Sequence, residues 1–185
     1  MRCLIKDYPF DNHLQLLNLN LNGPFNHLQP IVKHMMRHRT GHIVGITSAS
    51  AKLPTAYRSS CACSKNAFVG LLDSLRTELK PFNINVSNIM PGYVKTPLPY
   101  NAMSSEVGKK FGSGDTNIEN GMEPEAFSDE CVKAIFNKET ECQISKDWFA
   151  MPFAFTLKAV LPDAGALFLR LNAKNQKKAI EKKPK

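Results

Sequence analysis

Ser48, Cys61 and Lys65 are the residues of this chain whose types and spacing could do chemistry together. Ser48 follows a short apolar run, His42–Thr47, that reads as a buried parallel strand. Cys61 and Lys65 stand four residues apart in a stretch of helical periodicity, which puts them on one face, one turn apart. A cation so placed favours the charged form of a neighbouring acid and draws a thiol toward thiolate. Open α/β sheets bind ligands outside the carboxyl ends of their strands. Ser48 follows one such end, and Pro91-Gly92-Tyr93-Val94-Lys95-Thr96 follows the next, so both would face one crevice. Taken singly, Ser48 is a loop serine and Lys65 a surface lysine; only their joint placement carries chemistry.

The elements that must position these residues follow from the periodicity. Leu14, Leu17, Leu21, Phe25, Leu28, Ile31, Val32 and Met35 recur at helical spacing between Asn12 and Arg39, and Pro24 and Pro30 predict a kink or a late helix start. Thr40-Gly41 reads as the helix end. A second helix is expected over Ser59–Lys80, stopped by Pro81, and a second strand over Asn83–Met90, closed by Pro91-Gly92. Leu98–Gly121 is polar and glycine-rich and reads as a long loop, the kind that serves as a lid or binding segment. Glu123-Pro124-Glu125 opens a helix to about Asn137, and Glu141–Ser145 is a short third strand. Helices alternating with strands over short connections predict an α/β fold with a parallel sheet.

Composition narrows the function classes. The chain has 185 residues, 43% of them hydrophobic and 22% charged, which suits a globular domain rather than a disordered or fibrous chain. Its formal charge is +8, but Asn172–Lys185 holds six lysines and one glutamate. The charge is therefore mainly a tail property and implies no nucleic-acid groove. Cys3, Cys61, Cys63, Cys131 and Cys142 show no C-x-x-C spacing, so free thiols are expected and no metal site. Met1–Asp11 reads as neither signal peptide nor anchor, and no run of eighteen apolar residues occurs. Trp148–Leu171, rich in Phe, Leu and Ala, either covers a core or lies on a membrane surface.

Taken together the motifs resemble the short-chain dehydrogenase/reductase family. The matching pieces are Asn20-Leu21-Asn22-Gly23, Gly41-His42-Ile43-Val44, Thr47-Ser48, the run Arg58-Ser59-Ser60-Cys61-Ala62-Cys63-Ser64-Lys65, and Pro91-Gly92-Tyr93-Val94-Lys95-Thr96. Arg58-Ser59-Ser60 and the basic C-terminus are most similar to the member 7 group, which is akin to the 11β-hydroxysteroid dehydrogenases. The resemblance implies hydride transfer between NADP or NAD and a carbonyl or alcohol, lipid- or steroid-like substrates included. It gives Asn20 a water-holding role, Ser48 the polarising of the carbonyl, and Lys65 the nicotinamide ribose. Pro91, Gly92, Val94 and Thr96 match the segment that contacts the nicotinamide.

The chain departs from the family twice. The acid/base tyrosine belongs four residues before the lysine, where this sequence has Cys61; the nearest tyrosine, Tyr57, is eight before it. The family's strand, Gly-rich turn and helix for the pyrophosphate do not occur in these 185 residues. The expectation is therefore the C-terminal part of a doubly wound Rossmann-type sheet over residues 1–171, with a basic tail at 172–185. His42–Thr47 then becomes a sheet edge. Cofactor binding and activity are expected to be impaired. The alternative is a non-catalytic partner that dimerises with a full-length relative through helices 14–39 and 59–80, or that binds a membrane. Lys182-Lys183-Pro184-Lys185 resembles a dilysine retrieval signal, which implies the cytosolic face of the endoplasmic reticulum; without it the expectation is cytoplasmic.

Overall fold

The computed structural model describes residues 3–147 and 150–181. The amino-terminal helical stretch comprises α1 (Phe10–Leu17), one wide turn over Asn18–Asn22, and α2 (Gly23–His38). Pro24 explains the wide turn. It offers no N–H and its ring crowds the carbonyl four residues back, which is that of Asn20. The backbone widens to a π-type turn in which the Gly23 N–H bonds the Asn18 carbonyl. Pro30, by contrast, is carried inside α2 without a break. The helix end also differs from the glycine cap expected at Thr40-Gly41. Arg39 takes the left-handed conformation (φ 51°), held by its guanidinium on the Pro81 carbonyl at 2.8 Å. Gly41 serves close approach instead, since a Cβ there would lie 2.4 Å from the Met35 sulfur.

β1 (Gly41–Ile46) follows, then α3 (Ser59–Leu79) and β2 (Ile84–Pro91). The 98–121 segment, expected as loop throughout, contains two single-turn helices, α4 (Leu98–Asn101) and α5 (Thr116–Glu119). α6 (Pro124–Phe136) leads to β3 (Glu141–Ile144). α7 (Ala150–Val160) and α8 (Pro162–Glu181) pack against each other at Gly165, where a Cβ would meet the Lys158 backbone at 2.7 Å. The expected helix and strand positions hold to within about one residue for β1, α3, β2, α6 and β3. Trp148 and the Lys182–Lys185 run lie outside the described residues. Among those described, no helix is long and apolar enough to cross a membrane.

The sheet is parallel with order β1-β2-β3. β1 pairs with β2 from Gly41–Ile84 to Ile46–Ile89, and β2 with β3 from Asn88–Glu141 to Pro91–Ile144. α3 and α6 are the crossovers that such pairing requires. One face is covered by α3 and, behind it, α2: Ile43, Phe68, Leu72, Leu79, Ile84 and Val86 form its core, with Leu28, Val32 and Met35 against it. The other face is covered by α6, where Ile89, Cys131, Ala134 and Ile144 meet. This is the expected α/β architecture, with β1 as an edge.

Two glycines test this packing in opposite directions. At Gly45 a Cβ would lie 2.3 Å from Leu72, which is fully buried. Gly45→Ala is expected to destabilise the protein by about 2 kcal/mol in urea denaturation. Gly70 is an exposed mid-helix position in α3 with open space around it. Gly70→Ala is expected to stabilise by about 0.5–1 kcal/mol, and equal effects at the two sites would contradict the packing described.

Candidate active site

The site is built where β1 leaves the sheet beside the first two turns of α3. The Thr47 N–H bonds the Ile89 carbonyl at 2.9 Å, and its hydroxyl donates to Asn88 Oδ1 at 2.7 Å. Both side chains are buried, so the last residue before Ser48 is fixed. Ser48 is extended, and its Oγ accepts from the Ser50 N–H at 3.2 Å and the Ser50 hydroxyl at 3.0 Å, capping a single 3-10 turn over Ala49–Ala51. Asn66 of α3 donates to the Ala51 carbonyl at 2.7 Å and docks that turn on the helix.

Lys65, the residue before Asn66, places Nζ 3.4 Å from the Ile46 carbonyl at the end of β1. Ser48 and Lys65 therefore share one end of the sheet. Burial pulls the Lys65 ammonium below its ordinary pKa, partly opposed by the Cys61 thiol on the preceding turn. Asn20, in the wide turn before α2, donates to the buried Ser64 hydroxyl at 3.0 Å. Ser64 in turn donates to the Cys61 carbonyl at 3.0 Å. Ser64 thus links Asn20 to the backbone of α3 at Cys61.

The adjacent strand end supplies the rest. Pro91 closes β2, and the Gly92 N–H bonds the Ile144 carbonyl at 2.8 Å. A Cβ on Gly92 would meet Ser145 and Met151 at 2.8 Å, so glycine is required there. Val94 and Thr96 lie further along: Val94 bridges to Met122, and Thr96 is exposed. These two sit at the base of the 98–121 excursion, which the Met122 N–H closes onto the Tyr93 carbonyl.

Neither nearby tyrosine takes the place held by Cys61. Tyr57 precedes α3 in a left-handed conformation (φ 65°) and accepts the Cys3 N–H on its carbonyl. Tyr8, which sequence reasoning missed, lies beside Ser60, but burial pushes its phenol up to about 12, making it a poorer acid than a free tyrosine. Ser60 also meets His13 Nδ1 at 2.7 Å. Also missed was the Arg58–Asp115 ion pair at 2.5 Å, which ties the 98–121 excursion to the start of α3. Asp115 is buried and caps α5 through the Asn117 N–H. Asn12, also buried, adds a second tie through the Ser104 carbonyl at 3.2 Å. No sequence signal marked Asp115, because its partner is 57 residues away. An open groove of about 580 Å³ between Arg76, Lys80, Ile84 and Lys138 lies at the opposite end of the strands.

The short chain dehydrogenase family profile matches residues 2–106. The chain belongs to that family. It is 29% identical over 163 residues to dehydrogenase/reductase SDR family member 7B of Xenopus tropicalis, which covers 88% of this chain and 52% of that one. The chain thus spans about half the length of the curated relatives it matches. Its fold is similar to a short-chain dehydrogenase from Streptomyces avermitilis, with a TM-score of 0.67 at 19% identity over 90% of this chain and 65% of that one. A short-chain dehydrogenase from Sphingobium yanoikuyae in complex with NADPH gives 0.66 at 17% identity, covering 93% and 61%.

The tie between α3 and the excursion can be tested alone. Asp115→Ala leaves Arg58 largely buried without its counter-charge. The expected loss is about 2 kcal/mol in urea denaturation, below the 3–5 kcal/mol of a fully buried pair because Arg58 is partly solvated. Faster proteolytic cleavage between 98 and 121 should accompany it, and an unchanged stability would show that the pair is not an anchor.

Proposed function

We propose that this chain carries the hydride-transfer end of a nicotinamide-dependent carbonyl/alcohol oxidoreductase, and that Cys61 leaves it slow as it stands. The observation that carries this reading is Lys65 on the last carbonyl of β1, beside Ser48, with a thiol one turn before it. The residues fit one end of the cofactor. An ammonium with no carboxylate partner among the described residues suits the ribose hydroxyls, and Pro91, Gly92, Val94 and Thr96 line the neighbouring strand end. The pyrophosphate end calls for a Gly-rich turn that these 185 residues do not contain. When bound, the nicotinamide supplies or accepts the hydride. Ser48 would donate to the substrate carbonyl, and Asn20 would hold a water through its link to Ser64.

The weak point is proton delivery. A base or acid must come within about 2.6–3.2 Å of the atom it serves. A cysteine side chain ends at its γ atom, whereas a phenol extends across a whole ring. A substrate held by Ser48 is therefore out of reach of Cys61. NADP is favoured over NAD only by the family resemblance, and the same resemblance suggests lipid- or steroid-like substrates. The test is Cys61→Tyr, assayed for ketone reduction at millimolar NADPH. The variant should exceed the parent about 100-fold, the low end of general acid catalysis; equal rates would sink the reading. NADPH should raise the melting temperature of the parent by less than about 2 °C, as expected when the ligand is not far above its dissociation constant.

A second reading is favoured by the surface of α2, a sixteen-residue helix with no fully buried residue. Phe25 and Ile31 on it, with Leu14 and Leu19 before it, are exposed. Helices 14–39 and 59–80 would then dock on a full-length relative. In sedimentation velocity the chain mixed with such a relative should show a new, heavier species, and unchanged masses would end this reading. A location on the cytosolic face of the endoplasmic reticulum rests on Lys182–Lys185 alone and ranks below both.

A further inference from the structure

Cys61 and Lys65 have a chemistry of their own that does not depend on hydride transfer. They occupy positions i and i+4 of α3, where Cβ atoms stand about 5–6 Å apart. Helical side chains lean toward the amino terminus, so a lysine at i+4 runs back over the turn that holds residue i. Lys65 feels the Cys61 thiol, and it has no carboxylate partner among the described residues. Cys61 is partly exposed, so a small oxidant can reach it. Cys63 is the internal contrast. It is exposed, sits two residues on and so on the other side of α3, and has Asn66 and Ala67 where Cys61 has Ser64 and Lys65.

We propose that Cys61 and Lys65 form a peroxide-responsive, thiol-reversible sulfur–nitrogen link that closes the site. The thiolate of Cys61 attacks one oxygen of a hydroperoxide, the O–O bond breaks, and the second oxygen leaves as hydroxide or alkoxide and takes a proton. Sulfur is oxidised to sulfenic acid and the peroxide is reduced. The neutral amine of Lys65 then attacks that sulfur, the S–O bond breaks, and the oxygen departs as water with a proton from nitrogen. The product is a sulfenamide that occupies both side chains at once. A dithiol reverses it: one thiolate attacks sulfur, the amine leaves with a proton, and the second thiol closes a disulfide within the reductant. Burial holds the Lys65 ammonium below its ordinary pKa, which enlarges the neutral fraction the second step needs. A phenol at position 61 could not do this, so the replacement that weakens proton delivery is the one that creates the switch.

The test treats the purified 185-residue chain with hydrogen peroxide and maps it by tryptic mass spectrometry. The expected result is a Cys61–Lys65 link lighter by two hydrogens than the reduced pair, with cleavage after Lys65 lost and restored by dithiothreitol. Lys65→Arg, which keeps the charge and offers a guanidinium in place of the amine, should abolish the link and let Cys61 proceed to sulfinic acid. Cys63→Ser should leave it intact. Circular dichroism of each variant confirms that the helix is kept. Sulfinic acid at Cys61 in the parent with Lys65 still cleavable would overturn the proposal. So would a disulfide from Cys61 to Cys3 or Cys63 as the main product, or a link of any other mass. None of these readouts depends on turnover, so failure here leaves the oxidoreductase reading standing, and the reverse holds as well.

Discussion

A parallel strand pair cannot be closed by a hairpin, so the chain between β1 and β2 must cross the sheet as a helix and land at the other end. That constraint places the start of α3 beside the carboxyl end of β1, whatever the side chains are. Here the junction is sealed by backbone carbonyls: Lys65 on Ile46, Asn66 on Ala51, and the Thr47 N–H on Ile89. Ser48 lies inside the loop so bounded, and Cys61 and Asn20 are attached to the same two turns of helix through Ser64. The geometry of the site follows from the topology plus these few polar contacts.

α3 divides its labour along its length. Its first two turns carry Ser59, Ser60, Cys61, Ser64, Lys65 and Asn66, and its remainder presents Phe68, Val69, Leu72 and Leu79 to the sheet. Burying a Leu or Phe side chain is worth about 1.5–3 kcal/mol, so the later turns anchor the helix. The early turns can then afford buried polar groups, which stabilise little even when paired. Ser60 and Ser64 are both buried and both hydrogen-bonded, to His13 and Asn20 from the amino-terminal helices. The amino-terminal stretch is thereby held to the polar half of α3 by hydrogen bonds and to its apolar half by Leu28, Val32 and Met35.

Much of this was legible in the sequence because it is local. The β-branched run at Ile43–Ile46, the stripe through Phe68, Leu72 and Leu79, and the Pro91-Gly92 stop each announce themselves within one window. That Ser48 and the first turns of α3 lie at the same end of β1 was legible because the parallel crossover fixes it. What escaped was either non-local or subtle. Asp115 pairs across 57 residues with Arg58, in a segment whose composition reads only as loop. The helix end at Arg39 escaped because its left-handed backbone is held by Pro81, Phe82 and Asn83, a contact no local rule foresees. An interruption at Pro24 did follow from the sequence, but its form, a wide turn over Asn18–Asn22, had no signal beyond the proline.

The Asn88–Thr47 pair shows what the site costs the fold. Asn88 is fully buried in β2, and its carbonyl oxygen takes the Thr47 hydroxyl, yet its amide nitrogen finds no partner among the described residues. A buried donor left unsatisfied costs about 1–3 kcal/mol. An apolar residue would remove that penalty, as Val86 and Met90 do two positions either side on the same face of β2. The asparagine instead ties the residue before Ser48 to the centre of the sheet. That tie adds to the Thr47 N–H on the Ile89 carbonyl, while the loop beyond Ser48 is held by Asn66 of α3 on the Ala51 carbonyl, by Lys52 on Glu141 of β3 and by Lys158 of α7 on the Lys52 carbonyl. The penalty at Asn88 therefore falls where β2 fixes the residue that leads into the candidate hydroxyl.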